Sequence, residues 1–290
     1  MPGNITEAFY TQATGALELV LQQEVSLLRQ HVVVEMMKGK DSTVVNQIGE
    51  APARVLTGRH QATVWGNIDH DVRHAHPDIY QGTVLLSTTD LLMTMIKPTS
   101  AYIRAIAGGI GVKTDQEIIR AALQPAMTGQ LGTTAVALPA SQKIVHGGTG
   151  LTIEKLRQAM LRFRRAKVNT DNTKLYIYVD PEQLNDLLGT VETTSADFNN
   201  VQALIAGTLK YFMGFHFVIT TELPKTSRVR SCVAYAEGGL VLGDWEDIQL
   251  TADRLPERNN DIGVIGRQTL GATRTQEKKV VQIDCQETAA

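Results

Sequence analysis

The chain has 290 residues, 43% of them hydrophobic and 20% charged, with a formal net charge of -2. At about 150 residues per domain this allows one large or two modest domains, and the balance excludes global disorder. No run nears the ~18 apolar residues of a membrane span, and the near-neutral charge argues against a protein that grips nucleic acid through its phosphates.

Residues 4–31 read as a helix. Asn4 and Glu7 have capping-box spacing, and Leu17, Val20, Leu21, Leu27 and Leu28 recur at helical intervals. The start, MPGNITEAFY, lacks the basic region and apolar core of a signal peptide. Residues 39–86 change character. Gly39, Gly49, Pro52, Gly58, Gly66, Pro77 and Gly82 punctuate strand-like pieces at 53–56, 62–65 and 83–86. Apolar residues are too sparse for this segment to fold alone, so it reads as a long hairpin or extended arm.

Asp90 can cap a short helix over 91–96, which Pro98 ends. A longer helix follows from Ser100, with Ile103, Ala107, Ile110, Thr114, Ile118, Ala121 and Ala122 on one face. Gly108, Gly109 and Gly111 interrupt it, each costing about 1 kcal/mol relative to Ala, which points to a bend or a close backbone approach. Thr152 has the N-cap position of the next helix, with Leu151 and Leu156 at hydrophobic-staple positions and Arg162, Arg164, Arg165 and Lys167 at its end. The stretch 174–179 is a strand. Asp180 and Pro181 then start a helix, with Gln183 at its third position, that Gly189 is expected to close. Further strands are expected at 215–221, 233–236, 262–269 and 280–285. The class is mixed α+β.

Tests for chemistry return little. The glycine cluster ending in Lys113-Thr114 lacks the Gly that a phosphate loop needs before its Lys. His70, His74 and His76 are metal-ligand types without the spacing of a closed site, and Arg73 among them would repel a cation. A metal-dependent enzyme using these histidines is therefore a distant alternative. Asp244, Glu246 and Asp247 around Trp245 read as a solvated acidic turn. Arg162–Lys167 reads as a helix end before it reads as a phosphate contact. Cys232 and Cys285 form no C-x-x-C pair and read as reduced, apolar residues. No catalytic residue, metal or cofactor is expected.

The order of these elements resembles the major capsid proteins of tailed bacteriophages, the HK97-like fold family shared with encapsulins. The resemblance rests on Lys113-Thr114-Asp115-Gln116-Glu117-Ile118-Ile119, Leu151-Thr152-Ile153-Glu154-Lys155-Leu156 and Val179-Asp180-Pro181-Glu182-Gln183-Leu184. Gly207-Thr208-Leu209, Gly214-Phe215-His216-Phe217, Leu223-Pro224, Gly271-Ala272-Thr273-Arg274 and Val280-Val281-Gln282-Ile283 follow in order. It implies an N-terminal arm (1–38), an extended loop (39–86), a spine helix with a peripheral domain (87–169) and a mainly axial domain (170–260). Residues 261–290 would return to the peripheral domain.

The implied function is self-assembly, through hexamers and pentamers, into the icosahedral shell enclosing a phage genome. An encapsulin-like compartment for enzyme cargo is the alternative. Scaffolding and portal proteins are implied partners, a decoration protein is allowed, DNA contact is weak and non-specific, and no membrane is involved. Assembly would occur in the host cytoplasm, and the product would reside in the virion. Within the extended loop, Arg54, Arg59 and Arg73 are the expected charged contacts between subunits and Trp65 the apolar anchor, since Trp and Arg dominate interface energetics.

Overall fold

The structure is a computed structural model. It describes residues 25–37, 43–49, 53–55, 58, 62–63, 65–68, 70–88, 99–194 and 210–287. In chain order the first strands are β1 (Val33–Met36), β2 (Thr43–Ile48), β3 (His70–Ala75) and β4 (Asp78–Leu86), followed by helix α1 (Thr99–Leu123). Then come β5 (Ala126–Thr128), β6 (Thr134–Val136), β7 (Lys143–Ile144), α2 (Ile153–Arg165), β8 (Leu175–Val179) and α3 (Pro181–Thr194). The chain continues through β9 (Tyr211–Phe212), β10 (Phe215–Ile219), β11 (Lys225–Thr226) and β12 (Val229–Ala236). It ends with β13 (Leu240–Leu255), β14 (Asp261–Arg274) and β15 (Val280–Gln286). The expected helix at 91–96 and the first 21 residues of the one at 4–31 lie outside the described residues; within 25–31 there is only a short 3-10 turn, Arg29–His31.

One body is α1 laid on a four-stranded sheet of order β1-β13-β14-β4. The helix buries Ile106, Ile110, Thr114, Ile118 and Ala122, the i, i+4 row that such a contact requires. Gly82 and Gly266 are paired across β4 and β14, and Ile106 seats on them: a Cβ at either would lie 2.9 or 2.4 Å from Ile106 Cγ2. Two glycines opposite one another thus let the helix come down onto the sheet.

The second body is a seven-stranded sheet, β7-β15-β12-β8-β10-β9, with β11 beside β12. Its strands are short apolar runs: Ile177, Tyr178, Val179, Cys232, Val233, Ala234, Val281 and Ile283 are all sealed from solvent. Helix α2 is held as its sequence predicts. Thr152 accepts a hydrogen bond from the Lys155 N–H, Leu151 and Leu156 are buried together, and Phe163 packs on Phe215 with ring centroids 6.2 Å apart. Lys155 departs from habit for a lysine, since its buried Nζ donates to the carbonyls of Thr149, Gly150 and Asp284. Helix α3 starts on Asp180, whose carboxylate accepts from the Glu182 N–H at 3.3 Å. Gly189 does not close it; the helix continues to Thr194. Gln183 serves tertiary structure, accepting from the Leu151 N–H at 3.1 Å.

After β12 the chain leaves the seven-stranded sheet at the Gly238-Gly239 turn, and β13 and β14 pair with each other in the first body. The chain then crosses back at Glu277–Lys279, and β15 pairs with β12 inside the second body. The acidic stretch at 244–247 is not a turn. It lies within the sixteen-residue strand β13, where the register shifts between Asp244 and Glu246 and again before Gln249. The bulge explains the misreading, because it breaks the alternation that marks a strand.

Candidate inter-subunit surface

The root of the extended loop forms a third sheet, β2-β3-β5-β6. Strands β2 and β3 are antiparallel from Thr43↔Ala75 to Ile48↔His70, and β5 adds to the other side of β3. The loop is therefore built into the subunit at its base by the segment that follows α1.

Polar bonds fasten this root. Arg73 is only 4% exposed, and its Nη2 lies 3.0 Å from both carboxylate oxygens of Glu277 and 3.3 Å from Asp71. Asp71 also accepts from the Thr128 hydroxyl. The Thr128 bond holds the Asp71 carboxyl below its ordinary value; burial opposes this, and the Val72 N–H and Arg73 reinforce it. His74 shares a 2.9 Å hydrogen bond with the Gly129 carbonyl through Nε2. Beside this group lies Arg274, with no exposed surface. Its Nη1 donates to the carbonyls of Ala122 and Gln124, and its Nη2 to that of Val136. One guanidinium thus ties the end of α1, β6 and β14 together, with Glu277 3.8 Å away.

The expected contact residues fall into different environments. Arg73 is buried in its own subunit, where its Nη2 meets Glu277, a residue distant in sequence. Arg54 is exposed, and Trp65 is 88% exposed. Arg59 lies outside the described residues. Val55 at 87% and Ile48 at 69% exposure join Trp65 as apolar surface along the loop. Glu277 carries no local signal in the sequence, although Arg274 stands in one of the family-like motifs and Glu277 follows it by three residues.

The distant enzyme alternative gains no geometry. His74 and His76 stack at 6.4 Å, but strand spacing puts His70 roughly 13 Å from His74. Among the described residues the carboxylates of Asp180, Glu182 and Glu287 could converge on a cation. The Arg230 guanidinium is already there, 3.2 Å from Asp180 and 2.6 Å from Glu287, with Lys225 on Glu287 as well. The glycines at 108–111 lie inside α1, so they form no phosphate loop.

A helix-backed sheet, a separate second sheet and a loop whose root is built into a third sheet are the architecture of a shell subunit, the HK97-like fold. The chain belongs to the phage capsid protein family, whose profile it matches over residues 5–287. Comparison with curated proteins returns no match. The fold is similar to the capsid of cyanophage P-SCSP1u, with a TM-score of 0.70 at 14% identity over 99% of this chain and 96% of that one. It is similar to the capsid of Ralstonia phage GP4, with a TM-score of 0.72 at 10% identity over 97% and 96%. The SrpI encapsulin of Synechococcus elongatus PCC 7942 gives 0.67 at 11% identity over 100% and 99%. The chain is a major capsid protein, a structural subunit of the virion that assembles with itself into a shell.

Proposed function

We propose that this chain builds an icosahedral shell of hexamers and pentamers that encloses the genome of a tailed bacteriophage, assembled in the host cytoplasm with scaffolding and portal proteins. It carries out no reaction of its own. The observation that supports this most is the family match at residues 5–287, which spans both bodies and the extended loop. The likeness to an encapsulin is one of fold, and the sequence match to phage capsids favours genome over enzyme cargo.

The extended loop acts as the clamp between subunits. Arg54, Arg59 and Trp65 carry its contacts, and Arg73 fixes its root. The loop's exposed Trp65 and Val55 support this, since large apolar side chains held out in solvent mark interaction surface. The near-neutral charge supports only weak, salt-sensitive contact with the packaged DNA. Electron microscopy of the protein co-expressed with its scaffold tests the assignment. Closed particles that protect DNA when filled by a packaging motor support it; particles that retain only protein cargo support the encapsulin alternative, and a persistent monomer refutes both.

A further inference from the structure

At the C-terminal end of α2 the basic side chains take two directions. Arg157 and Arg164 border one open pocket beside Tyr211 and Met213. Arg162 and Arg165 turn to another, an open recess of about 680 Å³ between α2, residues 136–142 and Lys278. Among the described residues none of Arg162, Arg165 and Lys278 forms an ion pair, so three unpaired cations line the recess. Glu277 lines it as well, 3.0 Å from Arg73 and 3.8 Å from Arg274, with a buried Oε1 that accepts no hydrogen bond, so the recess holds three cations against one carboxylate.

Two further buried polar atoms belong to residues that line the recess. Gln142 is 7% exposed and lines the recess with an unpartnered Oε1, and the amide can present its nitrogen instead by a flip. Arg162 has a buried Nη1 without an acceptor. A sealed guanidinium nitrogen with no partner is costly, and a helix end by itself would leave such an arginine in water. Pro139 and Ala166 give the recess apolar walls.

We propose that this recess is a socket for the carboxylate side chain of a second copy of this chain, held by Arg162, Arg165, Lys278 and the Gln142 amide. A planar guanidinium matches a carboxylate in geometry as well as charge. A protein carboxylate fits better than a nucleic-acid phosphate for two reasons. The cations are gathered in one concave spot, not spread along the stripe that a duplex backbone follows, and the chain as a whole carries a net charge of -2. A recess on one copy filled by a carboxylate from elsewhere on the next copy makes a head-to-tail contact, the type that closes into rings. The inference rests on the shell assignment and adds to it one site of contact.

The test uses particles assembled from equal parts of isotopically labelled and unlabelled chains, treated with a zero-length carbodiimide that joins carboxylates to amines in contact. The expected product is an amide between Lys278 and an Asp or Glu of the other label, formed in particles and lost from dissociated subunits. Lys278 linked only within its own chain, or unlinked in intact particles, overturns the proposal. Lys278 shielded in DNA-filled particles but reactive in empty ones assigns the recess to phosphate and also overturns it. As a second measurement, Arg162→Glu with Arg165→Glu should keep the melting temperature of the isolated subunit and lower the yield of closed particles by an order of magnitude or more. Normal yield from that variant counts against the socket; should it fail to fold, the cross-link decides. Wild-type chains that form no particles sink the shell assignment itself, whereas particles without the inter-chain link sink only the socket.

Discussion

Asp115, in the middle of the long helix α1, holds Ser26 at 2.5 Å through its Oδ1, across 89 residues of sequence. The same carboxylate accepts the backbone N–H groups of Leu27 and Leu28, each at 3.1 Å. One buried acid thus organises the chain just before the Arg29–His31 turn. Tyr235 then takes over, donating its hydroxyl to the His31 carbonyl at 2.9 Å while sharing a bond with Tyr178. The N-terminal segment is in this way stitched first to the spine helix and then to the second body.

Gly111 makes that stitching sterically feasible. A Cβ there would lie 2.9 Å from the Ser26 nitrogen and 3.1 Å from the Val25 carbonyl carbon, both backbone atoms that cannot swing aside. Gly109 faces open space. Gly109→Ala should stabilise the isolated subunit by about 0.5–1 kcal/mol through helix propensity. Gly111→Ala should destabilise it by about 1–3 kcal/mol despite the same propensity gain, because packed atoms must shift. Denaturant unfolding of the two variants side by side checks the contrast; equal effects would mean that the segment 25–28 does not lie against the helix.

Arg274 should be hard to replace even by lysine. Its two terminal nitrogens serve three carbonyls that no other described side chain reaches. A single ammonium cannot span them, and unmet buried acceptors beside a buried charge are costly. Arg274→Lys should cost about 3 kcal/mol or more, read as a lower denaturant midpoint with an unchanged slope. A variant of wild-type stability would show that the guanidinium does not clamp these strands.

The loop root should respond to acid through Asp71. Its folded carboxyl titrates below the ordinary aspartate value, with the Thr128 hydroxyl as the largest cause. A depressed acid contributes stability that is complete above about pH 3.9, the ordinary value, and is lost as pH falls through the lower folded one. Thr128→Val removes the donor, so Asp71 should titrate closer to the ordinary value in carboxyl NMR, with hydrogen exchange in β3 already faster near neutral pH and rising less on acidification than in the wild type. An unmoved Asp71 titration would refute the assignment.

What could be read from the sequence was local. The cap at Thr152, the Leu151–Leu156 staple and the Asp180-Pro181 start of α3 are signalled within a few residues, and each is present. The spine helix is legible from its i, i+4 row, and its glycines are legible as a bend or a close approach; the approach is found at Gly111, and what approaches is not legible. Strand β13 was missed because a bulge at Asp244 disrupts its period, and Arg29 arrives from 215 residues away to pair with that acid. The Arg73–Glu277 pair has no local signal, because the two residues are 204 apart in sequence. Tertiary partners of this kind leave no periodic trace, and they decide whether an arginine belongs to an interface or to a core.

The clamp can be tested separately from its root. A cut that removed residues 58–78 would excise β3, the strand that carries Arg73 and pairs with both β2 and β5. Such a variant should fail to fold. Replacing residues 50–68 with a short Gly/Ser linker leaves β2, β3 and the Arg73–Glu277 pair in place. That variant should be a soluble subunit with wild-type helix content by circular dichroism, yet it should form no closed shells. Trp65→Ala makes the same point with one side chain. At 88% exposure its loss should change subunit stability by no more than about 0.5 kcal/mol. Buried at an interface, a Trp truncated to Ala costs about 2 kcal/mol or more, so assembly of Trp65→Ala should need a higher subunit concentration. Normal shells from the linker variant would show that the loop is not a clamp, and a folded 58–78 variant would show that β3 is dispensable to the body.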